Sequence, residues 1–399
     1  MSHQDPGLSL QSRPKTPLSV GFMVHDFPVY SETFVVESAE GLVAAGHELE
    51  ILAIDGQGPA VAAWPELRAR TRRSTARLSL PGRGGRAIDL ARQALVLRHR
   101  PSYDILHCQF GTTGFSAMTF ERLGLLRTRA MVVHLRGYDI TTFVRARGEG
   151  VYAPLFERAD LFIANCEHFR DHAIDLGCSP DKIEVIGSPI DTGRFSPPAG
   201  RTTAPRPHVR LVTVGRLVEK KGIADVIAAL GLLRDSGRDA TLDILGDGPL
   251  GRDLAAQVAD LGLGASVRFH GAASGAEVIA ALHAADIAVT ASVTASNGDK
   301  DAAVNTAKEA LATGIPVIGT FHGGIPELVI PGENGDLVPE RDPAALADAI
   351  ARLMDDPPLR ARYGAAGRRK VVEEYDKTAI LDKTLAAYHR ALSRSGATP

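Results

Sequence analysis

What most restricts the fold of this chain is the regular alternation of short apolar runs with helix-length segments. LSVGFMV at residues 18–24 is followed by a segment in which Phe34, Val35, Ser38, Leu42 and Val43 share one helical face. Gly46 then stops the helix, and the apolar ILAI at 51–54 follows. Strand, helix and strand in this order predict a parallel βαβ opening. Ser31, followed by Thr33, stands where a helix N-cap belongs.

DILHCQFGTTG, RAMVVHLRGYDI, RADLFIANCEHF and DKIEVIGSPID continue the pattern to about residue 191. Residues 196–208 (SPPAGRTTAPRPH) bring four prolines and no apolar periodicity, which marks a linker. The alternation restarts in VRLVTVGRL, where Ile223, Val226, Ile227, Leu230 and Leu233 mark a helix face, and it runs on through TLDILGDGP, SVRFHG and DIAVTAS. From Pro343 the chain reads as helices over 344–354, 359–375 and about 378–392. The expected organisation is therefore a disordered tail at 1–17, one α/β domain at 18–195, the linker at 196–208, a second at 209–375, and a C-terminal helical segment at 376–399. A chain of 399 residues exceeds one ordinary core, which agrees with two domains.

The totals exclude more than they assign. A net charge of −2 gives no global attraction to nucleic acid. Cys108, Cys166 and Cys178 lack metal-finger or disulfide-framework spacing, so a reducing cytoplasm is expected. No apolar run has the length of a membrane span. Residues 68–100 hold ten arginines against one acid, Asp89, among Ile88, Leu95 and Leu97. That pattern describes either a solvated basic helix face or a peripheral contact with an anionic membrane, such as an inner membrane surface.

The chemistry concentrates in residues 296–327, SNGDKDAAVNTAKEALATGIPVIGTFHGGIPE. Two acids eight positions apart, Asp301 and Glu309, flank a helix start that is followed by an apolar strand and a glycine turn. Helix N-termini and loop N–H groups suit a phosphate, and acids accept hydrogen bonds from sugar hydroxyls. In TVGRLVEKKG, Arg216 and Lys221 bracket a turn after an apolar strand, and such a pair of cations suits a diphosphate. A sugar-nucleotide site is the expectation. No GxGxxG follows the first strand, so the dinucleotide fingerprint is missing.

The ordered set GRLVEKKG, LGDGP, VRFHG, Asp301 with Glu309, TGIPVIGT and GGIPELV resembles the retaining family-4 glycosyltransferases of the GT-B fold, which has two Rossmann-like domains facing a cleft. In the first half PVYSETF, GHELEI, DILHCQFG, RGYDI, ADLFIANCEHFRD and LGCSPDKIEVIGSPIDTGRF resemble the branch that builds exopolysaccharides of the colanic acid and amylovoran type. The likeness covers about residues 18 to 375.

It implies that Arg216 and Lys221 neutralise the donor diphosphate and that Glu309 holds the ribose. Asp301 would hold the donor sugar, helped by backbone around Ala302, Ala303, Val304 and Asn305, and Arg268, His270 and Gly271 would border the base. Arg136 stands where the family carries a histidine, with His134 two residues before it, so either side chain is a candidate for that role. Ser31, Glu32, Thr33, His107 and Gln109 are placed on the acceptor side. The C-terminal helix is expected to cross back to the first domain.

The resemblance further implies front-face substitution with retention, the departing phosphate helping to deprotonate the acceptor, and no metal or other cofactor. The co-substrate would be a UDP- or GDP-linked sugar. Asp301 is one methylene shorter than the family's glutamate, drawing its carboxylate back by about 1.5 Å. With Asn305, Thr306 and Lys308 in usually apolar places, an unusual donor sugar is expected. The acceptor is expected to be a small specialised metabolite, with a lipid-linked exopolysaccharide intermediate as the alternative. A non-catalytic nucleotide-sugar sensor is the alternative of another class, and a homodimer is left open.

Overall fold

The computed structural model of the chain describes residues 16–29, 32–58, 64–73, 88–89, 91–200, 208–302 and 304–396. Residues 1–15 of the expected tail at 1–17, Ser31, Ala303 and linker residues 201–207 lie outside the described residues.

Two parallel sheets carry the architecture. In the first, β1 (Ser19–Phe27), β2 (Glu48–Gln57), β3 (Thr71–Arg73), β4 (Ser102–Cys108), β5 (Arg127–Leu135), β6 (Leu161–Ala164) and β7 (Ile183–Val185) lie in the order β3-β2-β1-β4-β5-β6-β7. In the second, β8 (Val209–Val214), β9 (Ala240–Leu245), β10 (Val267–Gly271), β11 (Ile287–Thr290), β12 (Val317–Thr320) and β13 (Gly335–Val338) lie in the order β10-β9-β8-β11-β12-β13. This is the expected pair of Rossmann-like α/β sheets.

Each sheet reverses its strand order once, between β1 and β4 and between β8 and β11. At such a reversal the connections leave for opposite faces, opening a crevice at the carboxyl ends of the strands where ligands bind. The topology alone therefore names two places to look for chemistry.

Burial explains the elements. The helix Ile223–Asp235 buries Ile223, Val226, Ile227, Leu230 and Leu233, the stripe its sequence predicts. Each such side chain contributes about 1.5–3 kcal/mol on burial. The helix Thr33–Ala44 instead buries Val35, Val36, Ala39 and Leu42, one position away from part of the expected stripe, and leaves Phe34 half-buried. Its N-cap is Glu32, which makes no side-chain cap bond, and Gly46 ends the turn at φ +89°. Asp342 and Asp356 cap the helices Pro343–Asp355 and Pro357–Tyr375 by accepting from Ala345 N–H and Leu359 N–H.

By packing, the chain separates into two units. One comprises the residues up to Val133, Arg158–Asp160 and the chain from Leu385, and the other His134–Glu157 with Leu161–Thr384. The strands of the two sheets fall within the expected spans 18–195 and 209–375, but the packing units divide the chain differently. Ile190 and Phe195 are buried in one apolar cluster with Leu311, Val317 and Val371, which draws the end of the first span into the second unit. The last helix, Lys377–Arg394, begins in the second unit and ends in the first.

Of the basic stretch at 68–100, residues 74–87 and Leu90 lie outside the described residues. Arg68, Arg70, Arg72, Arg98 and Arg100 are exposed, as are Ile88 and Leu95, whereas Arg92 is buried. All three cysteines are buried and none forms a disulfide. Among the described residues no helix is long and apolar enough to cross a membrane.

Candidate active site

In the second unit the carboxyl ends of β8 and β11 bring the two predicted motifs together. Glycines permit the close approach. A methyl group on Gly222, whose φ is +59°, would lie 1.8 Å from the carbonyl oxygen of Ala291, and one on Gly246 would lie 1.9 Å from that of Gly215. The turns after β8, β9 and β11 therefore touch backbone to backbone.

On this platform Arg216 is exposed and has no side-chain hydrogen bond or ion pair among the described residues. Lys221 is engaged: its Nζ donates to Asp301 Oδ2 at 2.8 Å, and Ser292 Oγ donates to the same oxygen at 2.8 Å. Lys220 adds contacts to Asp299 at 2.9 Å and to Asp301 Oδ1 at 3.4 Å.

Asp301 was expected to present its carboxylate to a sugar, and the structure turns that carboxylate to Lys221. Burial alone would raise this carboxyl. The charges of Lys221 and Lys220 and the hydrogen bonds from Lys221 and Ser292 outweigh burial and hold it down to about 2. Because the folded chain favours the ionised form, the stabilisation is present above the ordinary carboxyl range and is lost as pH falls toward 2.

The backbone of Asp301 is pinned from behind. Its N–H donates to His322 Nε2 at 2.9 Å, so His322 carries its proton on Nδ1 and donates it to Glu340 Oε1 at 2.6 Å. Glu340 also accepts from Thr294 N–H at 2.8 Å. Gly323 has φ +49°, and a methyl there would meet the Asp301 carbonyl oxygen at 2.0 Å. Gly323→Ala is therefore expected to cost at least about 2 kcal/mol, from the left-handed backbone and the overlap together. Thermal denaturation of the variant against wild type checks this. His322 and Glu340 were not singled out from sequence, although FHGGIPE contains the first of them.

A second network joins distant motifs of the same unit. Arg136 Nη2 donates to His134 Nδ1 at 3.0 Å, so His134 Nε2–H donates to Asn165 Oδ1 at 2.7 Å. Arg136 Nη1 also reaches Asn165 Oδ1 at 3.3 Å and Ser188 Oγ at 3.4 Å. Ser188 is shared with Lys308, whose Nζ donates to the Ser188 carbonyl at 3.0 Å and to Asn305 Oδ1 at 3.4 Å, and lies 4.8 Å from the Tyr375 ring centroid. Lys308 is fully buried. Arg136, His134 and Asn305 thus belong to one assembly, in which both His134 nitrogens have protein partners. Asn165 and Ser188 went unremarked in the sequence, where they read only as parts of ANCEHF and IGSPID.

The helix Asn305–Ala312 starts after Val304 with no side-chain cap, leaving first-turn N–H groups available to an anion. Glu309 lies on this helix, half-buried, and its carboxylate has no hydrogen-bond or ion-pair partner among the described residues. Burial pushes its carboxyl up to about 7, against the opposing pull of Arg194 and Lys308. Glu327, also missed, accepts from Glu167 N–H at 3.0 Å and His168 N–H at 3.3 Å, capping the helix Glu167–Asp175. Arg268 and His270 stand exposed on β10, the edge strand that ends at Gly271, and His270 Nε2 lies 2.6 Å from Asp243 Oδ1.

The acceptor-side expectations change. His107 is 3% exposed, with Nδ1 2.8 Å from the Tyr388 hydroxyl and its ring set edge-on to Phe22 and Tyr388. Gln109 is fully buried. Both were expected to face an acceptor, and core packing withdraws them from solvent. Glu32 and Thr33 are half-buried at the start of the first helix.

Two family models match the chain. Residues 31–194 match the model described as Glycosyltransferase Family 4, and residues 202–370 match Glycosyl transferases group 1. The putative colanic acid biosynthesis glycosyltransferase WcaL of Salmonella typhimurium strain LT2 is 32% identical over 91% of this chain and 97% of its own length. The amylovoran biosynthesis glycosyltransferase AmsK of Erwinia amylovora is 29% identical over 90% of this chain and 96% of its own. Among solved structures, Anabaena Alr3699/HepE in complex with UDP and glucose has the same fold, with a TM-score of 0.75 at 19% identity over 93% of this chain and 99% of that one. On the strength of these matches, the chain belongs to the group 1, family-4 glycosyltransferases.

Proposed function

We propose that this glycosyltransferase moves a sugar from a nucleoside diphosphate sugar to a hydroxyl of a growing exopolysaccharide glycan, with retention at the anomeric carbon. The observation that carries the reading is Arg216, an exposed cation without a side-chain partner among the described residues, standing beside the Lys221–Asp301 pair where β8 and β11 part. An unspent guanidinium next to a lysine held in place by a carboxylate is a receptor for a leaving diphosphate. These two cations, rather than a metal ion, would neutralise the charge that develops as the sugar departs.

Glu309 is suited to the two ribose hydroxyls, because a carboxylate accepts both. Neither carboxylate is proposed as a covalent nucleophile, because Asp301 is tied to Lys221 and Glu309 is given to the nucleotide. Attack from the face of departure follows from that reading. The sugar-side position falls to the Arg136–His134 pair, which one hydrogen bond joins. With Asp301 turned to Lys221 and Arg136 at this position, the donor sugar is one whose substituents differ from those of plain glucose or galactose. UDP is the first nucleotide to test, because HepE is described with UDP and with UDP-glucose, and GDP is the second. The colanic acid and amylovoran roles in the relatives' names favour a glycan acceptor over the small metabolite.

Thermal-shift and calorimetric titrations with UDP, GDP, ADP and TDP test the reading. A nucleotide held far above its dissociation constant stabilises the chain by a few kcal/mol. Glu309 supplies a signature. Its neutral form dominates below about pH 7, and ribose binding requires the charged form, so affinity is expected to rise from pH 5.5 to 8 by about tenfold per unit at most. Glu309→Gln should flatten that dependence and weaken binding. An affinity independent of pH in the wild type would remove Glu309 from the ribose, and no binding by any of the four nucleotides would end the proposal.

A further inference from the structure

Lys308 is fully buried, although a lysine on a helix ordinarily carries its ammonium out to water. Three stretches of the second unit close on it. Its Nζ donates to the Ser188 carbonyl at 3.0 Å and to Asn305 Oδ1 at 3.4 Å, and it lies 4.8 Å from the centroid of the Tyr375 ring, at the end of the helix Pro357–Tyr375. Gly187 lets these stretches meet: a methyl group there would lie 2.8 Å from Tyr375 Cε1 and 3.7 Å from Lys308 Nζ. A methionine would fill the same space with no ion to desolvate, so packing alone gives no reason for an ammonium at this position.

What an ammonium does here that an apolar side chain cannot do is fix an amide. Residues 305 and 308 share a face of the helix Asn305–Ala312. A lysine only donates, so the Asn305 atom that meets Nζ is the oxygen, and Nδ2, on the other branch of the amide, is turned away from it. That nitrogen has no hydrogen-bond partner among the described residues. Asn305 is half-buried at the first position of a helix with no side-chain cap, so Nδ2 adds a side-chain donor to an end that already carries first-turn N–H groups. Ser188 joins this arrangement to the Arg136 network, because its carbonyl serves Lys308 while its hydroxyl lies 3.4 Å from Arg136 Nη1.

We propose that Lys308 is a positioning residue of the donor site: its buried ammonium holds the Asn305 amide oxygen, so that Asn305 Nδ2 donates to an oxygen of the bound nucleotide sugar. Asn305 makes the contact, and Lys308 acts through it. The oxygen belongs to the diphosphate or to the sugar, since both present acceptors. This inference rests on the donor-site reading above.

The test titrates the full chain with UDP, GDP, ADP and TDP and with their glucose-linked forms, and records a melting curve for each variant. Asn305→Asp keeps an oxygen for Lys308 and suits a helix N-terminus, so the melting temperature should not fall. It also puts an acceptor where the ligand needs a donor, and affinity should fall by about tenfold or more, as it should by about tenfold in Asn305→Ala. Loss of affinity for the diphosphates themselves places Nδ2 on a phosphate oxygen, and loss confined to the glucose-linked forms places it on the sugar. Lys308→Met should cost about tenfold when Asn305 is present, and that cost should shrink at least about threefold in the Asn305→Ala background. The cycle is needed because Lys308 also draws the Glu309 carboxyl down, and an effect through Glu309 would persist without Asn305. If the methionine variant does not fold, Lys308→Gln takes its place in the cycle, since its amide can donate to the Ser188 carbonyl but no longer dictates which way Asn305 turns. Wild-type affinity in both Asn305 variants overturns the proposal. So does an equal cost of the Lys308 substitution with and without Asn305, which would leave Lys308 a structural residue or one acting through Glu309. Absence of nucleotide binding by the wild type counts instead against the donor-site reading itself.

Discussion

Arg216→Ala is expected to lower sugar transfer by about 10²–10³-fold while leaving the melting temperature unchanged. The two halves of that expectation have separate causes. The side chain is exposed and has no hydrogen bond or ion pair among the described residues, so truncation removes little that holds the fold. Exposed charges of this kind change stability by no more than a few tenths of a kcal/mol. A guanidinium that meets the diphosphate only as charge develops there acts on the transition state, and its loss appears in kcat. Arg216→Lys should recover part of the rate, since charge is retained while the planar fork is lost. Steady-state kinetics and a melting curve on the same preparation decide the point. A variant that transfers at the wild-type rate would remove Arg216 from the site.

Much of this was legible in the sequence, for a physical reason. Strands of a parallel sheet are buried on both faces and read as continuous apolar runs, so VRLVTV and DILHC announce themselves. Glycine turns after strands show where backbones approach, and GRLVEKKG lies at the strand-order reversal of the second sheet. Side-chain partnerships across the sheet were not legible. Lys308 sits in NTAKEALA, which reads as a polar helix face, yet it is fully buried against Ser188, 120 residues away, and Tyr375. His107 looked like a site residue and instead meets Tyr388, 281 residues along the chain. His25, Asp55 and Thr112 are separated by 30 and 87 residues, and only the aligned ends of β1, β2 and β4 bring them together.

The Lys221–Asp301 pair carries the second large effect, and here stability and activity move together. Lys221→Ala leaves a carboxylate on a residue that is 8% exposed with Lys220 and Ser292 beside it, and removing one partner of a buried pair costs about 3 kcal/mol or more. Asp301→Ala strands two lysines in the same place. Each change is expected to abolish transfer, because Lys221 is aimed by Asp301 and neither works alone. The double variant should be more stable than the sum of the two losses predicts, by about 0.5–3 kcal/mol. A denaturant-unfolding cycle of the four proteins measures that coupling, and simple additivity would show that the pair is not acting as a unit. Activity should be equally absent in all three variants.

We propose the crevice between β8 and β11 as the nucleoside diphosphate site. A crystal structure of the full chain with the nucleotide diphosphate that stabilises it most tests this directly. The expected result is the diphosphate against Arg216 and Lys221, the ribose hydroxyls on Glu309, and the base toward β10. A nucleotide bound in that crystal away from Arg216 and Glu309 would contradict it.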